Sequence, residues 1–360
     1  MDRRERLRRC YFHEELDRPG VYTRTGYPKD DPTYDRMKAY VREHTELKAG
    51  WNDVKTASGY TADSFTEPYS DDFARQVTIL HTPKGDLRSS RLTSLKGQPG
   101  MHEGFYINNR EDAEKYLSLP LPEFSGDCAT FPEAVAGMGD KGIVEAGVGS
   151  NPGGFVVTLC GSVNFATLSI TDRDVIHALC ERQMSIALRR LKHMLDHGVG
   201  PYFAMLGEEY IVPPLHSPKD FDDFNVKYDK PIIDLVHEAG GRLHIHSHGS
   251  IRDVIQAFVE MGTDVLHPFE PPPQGNISAA EAKAAARGRM CLEGNIQIDR
   301  MYDAAPDEIR AETEQLIRDA FDDGKGLIVC PTASPYIRGR GEKCFPQFKA
   351  MIDAVLEWDG

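Results

Sequence analysis

Three histidines at every second position, His244, His246 and His248, close a short β-rich run and are followed at once by Gly249 and Ser250. In an extended strand alternate side chains share a face, so the three imidazoles project together while Leu243, Ile245 and Ser247 point the other way. Neutral imidazoles two residues apart can share one cation, which makes His246 and His248, the pair nearest the strand end, the expected metal pair. His244 lies deeper and reads as core or as support for the ligands. Cys330 closes a second apolar run, GLIVC, directly ahead of Pro331-Thr332. Taken alone it is a small buried apolar group. Beside His246 and His248 it completes a mixed nitrogen and sulfur set typical of zinc, with a fourth position left for water or substrate. Three further strand-end segments, GEEY (207–210), HPFE (267–270) and EGNIQ (293–297), carry carboxylates suited to a fourth ligand or a general base. Glu208, Glu209 and Glu270 are the expected proton-transfer groups, and Tyr210, Asn295 and Gln297 are expected to touch substrate. Arg24 and Tyr27 flank the first strand, where an arginine can fork a substrate carboxylate.

Such residues act together only if the fold brings the strand ends to one place. From about residue 155 onward β-rich runs alternate with amphipathic stretches. The strands are expected at 155–160, 202–206, 242–247, 263–267, 290–294 and 326–330, and the helices at 173–197, 218–239, 251–261, 278–287, 306–322 and 345–358. Alternation of this kind implies parallel strands joined by helical crossovers. Ser217-Pro218 and Ser250-Ile251 supply helix-start signals, and Gly198, Gly240, Gly262 and Gly324 supply stops. A closed barrel and an open doubly wound sheet both fit, and the absence of a GxGxxG turn after any strand favours the barrel, whose active site lies at the C-terminal strand ends. The first 130 residues are less regular. They read as one strand at 20–24 followed by an excursion over about 25–130, with TPKGDLRSSR (82–91) turning between two short strands.

The chain has 360 residues, with 42 Lys and Arg against 56 Asp and Glu, a formal charge of −14 that excludes the basic profile of a nucleic-acid binder. With 40% hydrophobic residues the chain can bury a sizeable core, and no apolar stretch approaches a membrane helix. The basic N-terminus runs into FHEELDRPG without an apolar segment, so a cytoplasmic location is expected. Seven scattered cysteines without a CxxC pair argue against a disulfide framework.

The opening RERLRRCYFHEELDRPGVYTR resembles the start of the uroporphyrinogen decarboxylase superfamily, and TPKGDLR followed by NNREDAEKYLSLP resembles its next blocks. MLGEEY, LHSPKDF, HEAGGRLHIHSHGSI, MGTDVLHPFEPP, LEGNIQ and the Cys330 segment continue the resemblance in order over nearly the whole chain. It implies a single (β/α)8 TIM barrel spanning residues 1–360, with the N-terminal excursion built onto it. The decarboxylase branch needs no metal and carries an Arg-Gln-Ala-Gly-Arg signature, of which the stretch Arg24-Thr25-Gly26-Tyr27 keeps only the first arginine. The other branch, to which the chain is more similar, comprises cobalamin-dependent methyltransferases with zinc held by His-x-Cys and a distant Cys. His246 then matches the histidine, Cys330 the distant cysteine, and His248 stands in place of the nearer cysteine, so that the zinc becomes a stronger Lewis acid. The resemblance implies zinc-dependent methyl transfer between a small O-, N- or S-methyl compound or thiol and a corrinoid. The corrinoid would be carried by a separate partner protein, since no Asp-x-His-x-x-Gly stretch is present. The alternative is a metal-free decarboxylase in which Arg24 anchors a carboxylate and the histidines deliver a proton. A metal-dependent hydrolase fits less well, because its His-x-His stands on the first strand, and a zinc-storage or corrinoid-docking protein without turnover is the non-enzymatic reading. The acidic balance is compatible with a homodimer.

Overall fold

The computed structural model describes residues 1–97 and 99–359. Short Val-, Ile- and Leu-rich runs become strands here because they are covered on both faces, the situation in which parallel strands read as continuous apolar sequence. Eight of them form one parallel sheet: β1 (Gly20–Val21), β2 (Leu47–Trp51), β3 (Gly142–Ser150), β4 (Tyr202–Leu206), β5 (Arg242–His246), β6 (Val265–His267), β7 (Cys291–Ile296) and β8 (Leu327–Pro331). Their order is β1-β8-β7-β6-β5-β4-β3-β2, so each strand from β2 to β8 lies beside its sequence neighbour and β1 returns to the last. The sheet curls until its two outer strands meet at Glu46. The Glu46 backbone N–H donates to the Val21 carbonyl at 3.0 Å, and its carboxylate accepts from the Val21 N–H at 2.7 Å.

Helices cover the outside of the curl. Ser217 and Ser278 each cap a helix in a reciprocal capping box, with Asp220 and Glu281 reaching back, and Pro218 takes the first turn. Gly262 ends the helix Ile255–Met261 in the left-handed conformation at φ 95°, where a Cβ is disfavoured. That helix starts at Ile255, four residues after the signal at Ser250-Ile251 places it. Inside the curl, Ile143, Tyr202, Val265, Cys291 and Ile328 form an apolar floor, sealed from below by Leu7, Cys10 and Tyr11 of the helix Arg3–Tyr11.

The expected elements differ in places. Residues 155–160 are helix, not strand: Asn151 caps Pro152–Cys160 by accepting from the Gly154 N–H, and Pro152 takes the first position. Seven of its nine residues are buried, so the segment is apolar all round and carries no helical period to read. β2 and β3 are strands that the reading from 155 onward leaves out, their pattern diluted by Gly, Ala, Lys and Glu. Within the expected excursion over about 25–130, Leu47–Trp51 is itself a strand of the main sheet, while four strands within Ala62–Gly104 form an antiparallel sheet in which TPKGDLR makes its turn between Phe73–Leu80 and Leu87–Ser94 as expected. Among the described residues no single helix is long and apolar enough to cross a membrane; the apolar pair Pro152–Cys160 and Ser162–Thr171 bends by 108°.

Gly142 pairs with Leu47 where β3 meets β2, and a Cβ on it would lie 1.7 Å from the Leu47 carbonyl oxygen. Gly142→Ala is therefore expected to destabilise the chain by about 1–3 kcal/mol, read as a lowered urea midpoint; an unchanged midpoint would show that the two strands do not approach there.

Candidate functional site

Strand alternation decides what faces the inside of the curl. On β5, Leu243 and Ile245 belong to the outer apolar core, so His244 and His246 point inward. The same parity on β2, β3 and β7 places Lys48, Glu145 and Glu293 in a polar layer above the apolar floor. Lys48 Nζ donates to Tyr11 Oη at 2.9 Å and to Glu293, and lies 3.8 Å from Glu145; Tyr11 also donates to Glu145. Burial works against the charge of Lys48, but Glu145 and Glu293 outweigh it and its pKa is raised. Burial likewise works against Glu145, yet Lys48 and His244 hold its carboxyl well below the usual range. His244 Nδ1 lies 3.2 Å from Glu145, while His244 Nε2 and Glu293 Oε1 are buried without a hydrogen-bond partner.

Above this layer lies the chemistry. His246 and His267 stand side by side in the β5/β6 register, their rings stacked at 5.0 Å and 17°. His267 Nε2–H donates to the Pro331 carbonyl at 3.2 Å, which leaves its Nδ1 as a lone pair. That Nδ1 is 2.9 Å from His246 Nδ1, and Arg24 Nη1 lies 3.1 and 3.2 Å from the two nitrogens, donating to both. Burial, and then the Arg24 cation, keep both rings neutral: the His246 pKa falls to about 2 and that of His267 well below its ordinary value. One donor atom each from His267, Glu293 and Cys330 lies within 4.8 Å of the others, all three residues buried. Arg24, Lys48, Glu145, His244, His246 and Glu293 line a cavity of about 320 Å³, large enough for a small molecule. The arrangement can hold a cation between imidazoles, a thiol and a carboxylate. In the absence of one, it directs a guanidinium at an anionic substrate.

Other residues expected at the site lie around it or away from it. His248 packs edge-on against His246, ring centroids 4.7 Å apart, while its Nδ1 pairs with Glu270 at 3.2 Å and the side chain is partly exposed. Glu270 spends its carboxylate on that ring and on the Gly249 N–H at 3.0 Å, so it holds the loop after β5. Glu208 turns to the back of the sheet, fully buried without a partner for either oxygen and close to Asp229, which Asn151 contacts at 3.2 Å. Burial raises its pKa well above the usual carboxylate value, and the charge of Asp229 adds to the effect. Glu209 stays near the mouth, three residues beyond Leu206 of the cavity wall; burial raises its pKa, and Oε2 has no partner. Tyr210 is 40% exposed on the same turn. Tyr27 packs on Tyr34 at 5.6 Å rather than lining the cavity. Asn295 and Gln297 line a separate cavity with Arg300 and Glu312, and Gln297 donates to the Pro271 carbonyl at 2.7 Å. His267 is absent from the expected ligand set, although it ends TDVLH as His246 ends RLHIH. Lys48 and Glu145 sit on the two strands that the sequence reading leaves out.

A family model described as Uroporphyrinogen decarboxylase (URO-D) matches residues 152–337. No curated protein matches the chain. Among solved structures, a methyltransferase from Methanosarcina mazei is similar at 15% identity and a TM-score of 0.62, covering 99% of this chain and 99% of that one. A D-psicose 3-epimerase from Clostridium cellulolyticum H10, solved with D-tagatose, shares 13% identity over 65% of this chain and 86% of its own, at a TM-score of 0.38.

The buried Glu208 carboxyl makes stability depend on pH. The unfolded chain ionises it near 4.5 whereas the folded chain keeps the proton, so its contribution is lost at about 1.4 kcal/mol per unit as pH rises above 4.5. Glu208→Gln is expected to melt higher than the wild type at pH 8, with the gap closing toward pH 4; the same gap at both pH values would mean the carboxylate is charged and satisfied in the fold.

Proposed function

The chain belongs to the uroporphyrinogen decarboxylase family, and from that premise we propose that it is a zinc-dependent methyltransferase. It would move a methyl group between a small methylated compound or thiol and a corrinoid carried by a separate protein. The observation that carries this reading is the approach of His246 and His267 Nδ1 to 2.9 Å beside a cavity lined by His246 and Glu293, with donor atoms of His267, Glu293 and Cys330 within 4.8 Å of one another. The end-to-end likeness to a methyltransferase fold is consistent with it. We read the curled sheet as a closed (β/α)8 barrel, supported by the two contacts between Glu46 and Val21, which puts this cavity at the catalytic end of that fold.

The donor set fits zinc. His267 already gives its second ring nitrogen to a carbonyl, the outer contact that fixes a metal-binding tautomer, and Glu293 Oε1 is a buried oxygen with no other partner. His267, Glu293 and Cys330, whose donor atoms lie within 4.8 Å of one another, would hold the ion, and His246, whose Nδ1 is 2.9 Å from that of His267, would complete the set. Bound there, zinc supplies a Lewis acid that lowers the pKa of a thiol or draws electrons from a methylated heteroatom. With an ion held there, Arg24 would be free of the two imidazoles and could fork a substrate carboxylate. Lys48 neutralises part of the negative charge of Glu293 and Glu145 beneath the site and keeps that carboxylate aimed upward. The heteroatom that loses the methyl keeps the bonding electron pair and takes a proton, and Glu209, whose carboxyl holds its proton more tightly than usual, stands at the mouth to give it.

A second reading rests on Arg24. Its contacts of 3.1 and 3.2 Å to both histidines also suit a metal-free decarboxylase, with the guanidinium anchoring a carboxylate and an imidazole delivering the proton. Zinc content separates the two. His246→Ala, His267→Gln and Cys330→Ala are each expected to hold one zinc fewer per chain than the wild type and to lose at least about tenfold in methyl exchange with methylcobalamin, whereas His248→Ala keeps the metal. Wild-type zinc content in the first three variants would overturn the methyltransferase reading.

A further inference from the structure

A second set of donor atoms lies outside the cavity. Cys128 Sγ and one ring nitrogen each of His193 and His197 are within 4.8 Å of one another. The two histidines are four residues apart where the helix Arg173–Asp196 ends, so they share a face, with ring centroids 4.4 Å apart. Cys128 comes from the loop ahead of the helix Thr130–Met138, is 5% exposed, and adopts φ 53°, a left-handed backbone uncommon for a residue with a Cβ.

The hydrogen bonds around the rings are the informative part. His193 Nε2 lies 3.0 Å from the Gly126 carbonyl, and His197 Nδ1 lies 2.8 Å from the His193 carbonyl. A carbonyl only accepts, so each of these nitrogens carries the proton and donates it. His193 Nδ1 and His197 Nε2 are then left as lone pairs. One ring nitrogen tied to a carbonyl and the other free is the state in which histidines ligate metals. Asp53, Asp127 and the Arg190 cation all lie close enough to act on the Cys128 thiol. Two imidazoles and one sulfur select a thiophilic divalent cation.

We propose that Cys128, His193 and His197 bind a zinc ion, with water in the fourth position, and that the ion clips the 126–129 loop to the end of the helix Arg173–Asp196. On binding, the Cys128 thiol releases its proton to solvent and the thiolate takes its place beside the two neutral imidazoles. None of the three residues lines the barrel cavity, so the clip is independent of the reaction proposed above.

The test uses the full chain in a His246→Gln, Cys330→Ser background, which removes donors of the cavity site. Zinc, and cobalt as its spectroscopic substitute, are titrated in and the metal bound per chain is measured. One zinc per chain is expected, with a thiolate-to-cobalt charge-transfer band. Adding His197→Asn, at an exposed ring, should weaken zinc binding at least about tenfold, and adding Cys128→Ser should abolish the band. If that background does not fold, the wild type is compared directly with the His197→Asn variant, and one zinc fewer in the variant is expected. Zinc binding unchanged by His197→Asn, or no zinc held by the folded background protein, would overturn the proposal.

Discussion

Two imidazole nitrogens face one another at 2.9 Å inside a protein, a contact that requires a proton or a cation shared between them. Arg24 meets the requirement in this structure by donating from a single guanidinium nitrogen. The pairing arises because β5 and β6 lie in parallel register, which sets His246 beside His267, and because the Pro331 carbonyl takes the only proton of the His267 ring. Charging either ring would place a second cation against Arg24 in a site shielded from water, so both stay neutral and able to ligate.

The layer beneath keeps this arrangement in place. A buried ammonium with two buried carboxylates is weak evidence for stability, since desolvation consumes most of the attraction. Its value here is orientation. Lys48 fixes Glu293 and Glu145, Glu145 fixes His244, and Tyr11 reaches in from the helix that seals the floor. The orphaned atoms of this layer, His244 Nε2 and Glu293 Oε1, belong to residues that line the cavity.

The sequence carries the parts of this site that depend on a single strand. His246 and Cys330 announce themselves because each ends an apolar run, and strand ends are where the fold gathers its chemistry. What depends on two strands is hidden. His267 becomes a partner of His246 only through the β5/β6 register, which no local pattern encodes, while His248 shares the expected alternation but lies beyond the last residue of β5 and turns to Glu270. Lys48 and Glu145 sit in strands too rich in Gly, Ala and charge to read as such, because their inward faces are polar by design of the site. The helix at 152–160 fails in the opposite sense: burial on every side removes the periodicity that would mark it. The acidic pair Glu208-Glu209 shows how adjacent residues with one apparent role divide, one carboxyl turning to the back of the sheet and the other staying at the mouth.

The claim on which this account rests is that the lone pairs of His246 and His267 exist for a metal and that Arg24 occupies its place until it arrives. Diffraction recorded at the zinc absorption edge from crystals grown with zinc tests this directly. The expected result is an anomalous peak bonded to both Nδ1 atoms at about 2.0–2.1 Å and to Cys330 Sγ at about 2.3 Å, with the Arg24 guanidinium displaced into the cavity. Arg24 still bridging the two rings, with no peak between them under saturating zinc, would contradict it.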